Sequence, residues 1–324
     1  IFLALFACKA LCYSQPVKGT GSKVQPTNTV QKSKGLGQAQ TNNILSGVNT
    51  EMHGVCLTKK FSIVFYLIED SLPGFITASN TTVSIVNASN FVRDSVIARL
   101  NRAFKPICVQ FECCSIYVIP NFNFNQWRKN VIDTFVTKNW FTPNTINVYL
   151  PEKVLPPIGG YENESYTYPA PASNTFVIPP KNAIVCDISG INAPNLVGVR
   201  TSELIHAFGH FFGLPHTFED ISPTTTISVT PPPPPGVISY EFADGSNCST
   251  HGDGFCDTEA DPYPQGAGPS IKCYLAGGLK DGKGVYYVGP TDNFMTFSEC
   301  RCRFTTEQYN YMAQFILNHR WYLH

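Results

Sequence analysis

One stretch of eleven residues concentrates the groups able to do chemistry: His206-Ala207-Phe208-Gly209-His210-Phe211-Phe212-Gly213-Leu214-Pro215-His216. His206 and His210 are four apart, so on a helix both rings leave from one face. Gly213 permits a sharp turn after that helix, and His216 can then return to the same point. Three neutral imidazoles with an open fourth position are the pattern of a catalytic zinc site. The chain has seven histidines, and three of them fall here. Histidines at i, i+4 alone would read as packing or surface residues. The third histidine and the intervening glycine move the reading to zinc.

These residues need a helix over residues 200–212, ending at Gly213. The segment FSIVFYLI, residues 61–68, is β-branched and aromatic, as a buried strand requires. Asn90 then opens a helix. Val92, Val96, Leu100 and Phe104 recur every four residues as its apolar stripe, and Pro106 ends it. Short strands follow over residues 108–111, 116–119, 145–150, 176–178 and 183–186. Strands alternating with helices predict an α/β layer with a twisted, mostly parallel sheet. Residues 214–303 are rich in Pro, Gly, Asp and Cys, with a stiff polyproline run at 231–235. So long an irregular region needs stapling, and Cys248, Cys256, Cys273, Cys300 and Cys302 could supply it. A last helix is announced by Thr305 and Gln308 as a capping box and by Phe304 with Tyr309 as a hydrophobic staple. Tyr309, Met312 and Ile316 form its apolar stripe. No internal repeat is visible.

Composition narrows the partners. The 324 residues are 43% apolar and 14% charged, with net charge zero. A globular chain without basic or acidic runs gives no reason to expect nucleic acid or an anionic membrane. Twelve cysteines point to an oxidising compartment and a secreted protein. Residues 1–14 read as a truncated signal peptide, with the apolar run IFLALFA too short to span a bilayer. A lipobox around Cys8 is the weaker alternative. Residues 15–58 read as a pro-segment or linker, 59–213 as an upper subdomain carrying the zinc helix, and 214–324 as a lower subdomain. Four N-glycosylation sequons occur, at Asn80, Asn87, Asn163 and Asn247.

The order of motifs carries a family resemblance. His206 to His216 follow the extended metzincin pattern except at one residue. His216-Thr217-Phe218, then Gly252-Asp253-Gly254-Phe255-Cys256-Asp257-Thr258, then Asn293-Phe294-Met295, then Cys302 and Phe304-Thr305 follow in turn. In this order the chain resembles the pappalysin family of metzincin zinc metalloproteases (ulilysin/mirolysin-like), from about Phe61 to the C-terminal helix. The resemblance implies a secreted endopeptidase fold whose cleft takes an extended peptide along a sheet edge. It implies Met295 as the Met-turn floor beneath the metal. It also implies a structural calcium on Asp253, the Phe255 carbonyl and Thr258. Oxygen ligands from a tight acidic loop suit that cation, and a metal-free hydrogen-bonded turn is the alternative. Two disulfides are implied in the lower region, with the pairing open.

Two positions depart from the family. Ala207 stands where the family has the Glu that takes a proton from water at the metal and passes it to the leaving amine. Losing such an acid–base group costs about 10²–10⁴ in rate. Phe297 stands where the family has a Tyr that stabilises the oxyanion, and losing one such donor costs on the order of 10²–10³. One exchange at position 207 is what an experimenter would make; a second lesion favours natural loss. Glu203, one turn before the metal, is a remote candidate to replace the base, with a positioning role as its alternative. Cys56 could latch the metal as a thiolate or lie in a plain disulfide. Ten cysteines remain beyond residue 14, an even number that favours complete pairing, with separate partners for adjacent Cys113 and Cys114. The expectation is a zinc endopeptidase scaffold with little or no activity. A zinc- and peptide-binding pseudoprotease and a calcium- and disulfide-stabilised binding module are the alternatives.

Overall fold

The computed structural model of the chain describes residues 55–78, 81–128, 132–155, 165–167, 182–188, 202–219, 241–262, 280–298 and 300–324. Its main sheet comprises β1 (Lys59–Ile68), β2 (Val109–Ile119), β3 (Ile146–Leu150), β4 (Ser165–Thr167) and β5 (Ala183–Cys186), in spatial order β2-β1-β3-β5-β4. The first four in that order are mutually parallel, and β4 runs antiparallel to β5 at the edge. The helices are α1 (Ile85–Phe91), α2 (Ile97–Ala103), α3 (Asp133–Asn139), α4 (Glu203–Phe211) and α5 (Thr306–Phe315). Two small two-stranded pairs, Phe75–Ala78 with Thr81–Ser84 and Gln126–Arg128 with Lys153–Leu155, lie outside the main sheet.

Strand β1 explains the layering. Phe61, Ile63, Phe65 and Leu67 enter one apolar core, and Val64, Tyr66 and Ile68 enter another. Successive side chains leave a strand on opposite faces. A strand covered on both faces therefore reads as an unbroken apolar run. The first core takes Val92, Leu100, Phe208, Phe211, Met312 and Ile316 from the helices on its side. The second takes Val136 of α3 with Trp127 and Tyr149. The mixed α/β reading with a mostly parallel sheet therefore holds.

Several boundaries moved. The first helix begins at Ile85 rather than at Asn90, because the Ser84 hydroxyl accepts from the Asn87 amide (3.2 Å) and caps it. It passes through a wider turn over Val92–Val96 into α2, which stops before Pro106. Val92, Val96, Leu100 and Phe104 are all buried, as the stripe required. The strands expected at 108–111 and 116–119 are one strand, β2. Ile63 pairs with Cys113 and Val64 with Ser115, so Cys114 is the extra residue of a bulge. As the edge strand on that side, β2 carries polar residues through its middle, which hid its continuity. The strand expected over 176–178, the polyproline run, Cys273 and residues 1–54 fall outside the described residues.

The cysteine expectation is corrected in part. Cys56 is bonded to Cys108 and Cys248 to Cys256, and Cys300 and Cys302 are also disulfide-bonded. Cys113 and Cys114, however, remain thiols. Cys113 packs against the first core and Cys114 is exposed on an edge strand, so parity was no guide. Among the described residues no helix is long and apolar enough to cross a membrane.

Candidate metal centre

Helix α4 is held by its apolar side. Leu204, Phe208 and Phe211 are buried in the first core, which fixes the rotation that turns His206 and His210 the other way. Gly209 lies directly over Met295, whose sulfur would collide with any Cβ there. Met295 is fully buried and lies as an apolar floor under the helix. Its segment is pinned by Asn293, whose Oδ1 accepts from the Met295 amide (2.8 Å). The chain leaves α4 through Gly213 at φ +91°, and the Phe315 ring of α5 packs where a Cβ would stand. Only glycine meets both demands.

The three imidazoles converge. His210 Nε2 is 3.1 Å from His206 Nε2 and 3.0 Å from His216 Nε2. Tetrahedral zinc with Zn–N of about 2.0–2.1 Å places ligand nitrogens about 3.3 Å apart. The opposite nitrogens decide the tautomers. His206 Nδ1 faces the Phe294 carbonyl (2.7 Å), and His210 Nδ1 faces the Leu214 carbonyl (2.7 Å). His216 Nδ1 faces Glu219 Oε1 (2.6 Å). Each partner is an acceptor, so each Nδ1 carries the proton. All three Nε2 atoms then lie around one small volume where their lone pairs could hold a metal ion. Burial and the neighbouring His210, Arg301 and His216 hold His206 well below the usual imidazole range. Burial and His216 lower His210 to about 4. Neutral imidazoles are the form a metal needs. These residues fit zinc.

The expected chemical partners are placed less favourably. Ala207 is fully buried in the first core. Phe297 lies against His216 (ring centroids 4.8 Å) and Phe218 (4.9 Å), an aromatic wall without a hydroxyl. Glu203 is fully engaged, accepting from Ser165 Oγ at Oε1 (2.5 Å) and from Arg301 Nη2 at Oε2 (2.7 Å). Burial pushes its carboxyl up, but the Arg301 charge and these hydrogen bonds outweigh that and hold it low. A carboxylate tied at both oxygens is no replacement base. Cys56, in its disulfide with Cys108, has no thiolate to offer the metal, so the latch reading is corrected to the plain disulfide.

Asp253, Phe255 and Thr258 form a second cluster, beside the Cys248–Cys256 disulfide. Asp253 Oδ1 accepts from the Phe255 amide (3.0 Å), while Asp253 Oδ2 and Thr258 Oγ1 are buried with no partner beyond each other. The Glu241 carboxylate packs against Gly252. Burial, with the nearby Glu241 charge, raises the Asp253 carboxyl well above its ordinary range.

Sequence reasoning missed Glu219, Arg301 and Glu241. Glu219, three residues after His216, had a legible spacing. The other two reach their sites through tertiary contacts alone.

No protein-family model matches the chain, and no curated protein matches it. Among solved structures, the chain is similar to a zinc-dependent peptidase from Methanocorpusculum labreanum (strain Z). The two share 11% identity with a TM-score of 0.26, over 47% of this chain and 82% of that one. So remote a likeness adds nothing to the argument from the residues.

Proposed function

We propose that this chain is a secreted zinc metallopeptidase scaffold of the pappalysin type that binds extended peptides and hydrolyses them weakly or not at all. The convergence of three Nε2 lone pairs, each fixed by an acceptor at the opposite Nδ1, carries the reading. His206, His210 and His216 hold the metal, Met295 supports it from below, and Glu219 orients His216. Bound zinc would supply Lewis acidity toward a peptide carbonyl and a water. Neither Ala207, Glu203 nor Glu219 is free to move the proton. Ala207 has no carboxyl, Glu203 is held by Ser165 and Arg301, and Glu219 is held by His216. Phe297 leaves the oxyanion without a hydroxyl donor. Strand β4, whose outer edge has no strand partner among the described residues, offers backbone groups to an extended peptide.

A structural calcium on Asp253, the Phe255 carbonyl and Thr258 belongs to the same reading. Two buried oxygens, Asp253 Oδ2 and Thr258 Oγ1, with no partner beyond each other support it. Disulfides support an extracellular setting.

The test compares the zinc-loaded protein with its Ala207→Glu variant on blocked peptides, with and without chelator. Chelator-sensitive cleavage by the variant, with the parent at least a hundredfold slower, is the expected result. Because Ala207 is buried, the variant's unfolding must be measured alongside. A folded, zinc-loaded variant that cuts nothing overturns the peptidase part of the reading. A parent chain that takes up no zinc overturns the whole.

A further inference from the structure

The Arg301 side chain is 7% exposed, yet its guanidinium is only partly used. Nη2 donates to Glu203 Oε2 (2.7 Å), while Nε and Nη1 are buried and have no hydrogen-bond partner. Nε carries one N–H and Nη1 two. Leaving a buried donor unmade is costly, more so on a charged group, so these groups mark a place where an acceptor belongs.

The guanidinium is also held in position. Its neighbours Cys300 and Cys302 are both disulfide-bonded. Glu203, which anchors the engaged nitrogen, is itself fixed by Ser165 Oγ (2.5 Å). Ser165 begins the edge strand β4, and Glu203 lies one turn before His206 on α4. Phe297, four residues before Arg301, packs on His216. Arg301 thus sits where the edge strand, the metal helix and the segment after Met295 meet.

We propose that Arg301 is a specificity-determining residue. An extended peptide added to β4 turns alternate side chains toward the helix layer, and the one beside Ser165 meets the unmade N–H groups. That side chain ends in an oxygen acceptor, a carboxylate or a carboxamide. An aliphatic side chain would leave the donors unmade, and a lysine would add a like charge. The inference rests on the peptide-binding reading above.

The test uses the zinc-loaded full chain and blocked hexapeptides of Ala, Ser and Gly. One Glu, Gln, Met or Lys is moved through each position, and binding is read by fluorescence anisotropy. At one position Glu and Gln should bind at least tenfold tighter than Met and Lys, since a site built to donate hydrogen bonds rejects side chains that cannot accept them. Glu203→Gln with Arg301→Met should erase that ranking. The pair is changed together so that neither charge is left buried alone. Arg301→Lys should erase it too, because the ammonium stays with Glu203. One zinc per chain in each variant shows that the site has folded. Peptides that bind without the ranking, or a ranking unchanged in the variants, overturn the role of Arg301 and leave water as the missing acceptor. No binding by any peptide to the zinc-loaded parent overturns the peptide-binding reading, and this inference with it.

Discussion

Each of the three converging imidazoles has one nitrogen committed elsewhere, and the three commitments differ in strength. Two go to backbone carbonyls, and that of His216 goes to the carboxylate of Glu219. A carboxylate behind a ligand fixes its ring and raises its basicity. Glu219→Gln should therefore weaken zinc binding roughly 10–100-fold, read by competition with a chromophoric chelator. His210→Ala removes a ligand and should abolish stoichiometric uptake. The metal-free protein should also respond to acid. His210 in the fold is lowered to about 4 from an ordinary value of 6.5. Below pH 6.5 the unfolded chain takes up a proton that the folded chain refuses, so the stability is present above that pH and is lost as pH falls toward 4. Urea midpoints of chelator-treated protein should fall across that window, and a midpoint flat from pH 7 to 4 would contradict this. The convergence of the three histidines was legible because their spacing is local. The fates of Ala207 and Glu203 were not. Whether a side chain is buried or already engaged depends on residues such as Arg301, 98 positions away.

Helices and strands show the same division. The C-terminal helix was readable to its first residue, since Thr305 Oγ1 accepts from the Gln308 amide (3.3 Å) and Gln308 returns the bond (3.0 Å). Phe304 and Tyr309 meet edge to face across its start (5.5 Å), as a staple does. Thr305→Ala should cost about 1 kcal/mol of stability, measurable by denaturant titration. Gly213→Ala should cost more, because it forces a left-handed backbone and a collision with Phe315 together. A loss no larger than that of the cap would show that Phe315 can move aside. The first helix was misplaced because Asn90 competes on paper with Ser84, and only the Ser84 hydroxyl is positioned to cap. Strand β2 was split because Glu112 to Ser115 look like a turn when pairing with β1 is not visible. Periodicity reports which face is apolar; it is silent on a bulge.

At the scale of the molecule, the two cores on either side of β1 were implied by its unbroken apolar run, but the crosslinks were not. The Cys56–Cys108 bond closes a loop with a separation of 52 residues, and such a loop is worth about 4 kcal/mol in the chain-entropy view. Replacing both cysteines by serine should lower the unfolding free energy by a comparable amount, and a loss below 1 kcal/mol would place the stabilisation elsewhere. The last residues also return to the first strand. The Ser62 amide donates to the His324 carbonyl, the His324 amide to the Asn144 carbonyl (2.9 Å), and Lys59 Nζ to the Trp321 carbonyl (3.0 Å). Strand β1 thus has no partner near it in sequence: Ile63 pairs with Cys113 and with Ile146. A central strand that must wait for distant segments makes folding slow, and until they arrive its apolar edges are exposed to other copies of the chain.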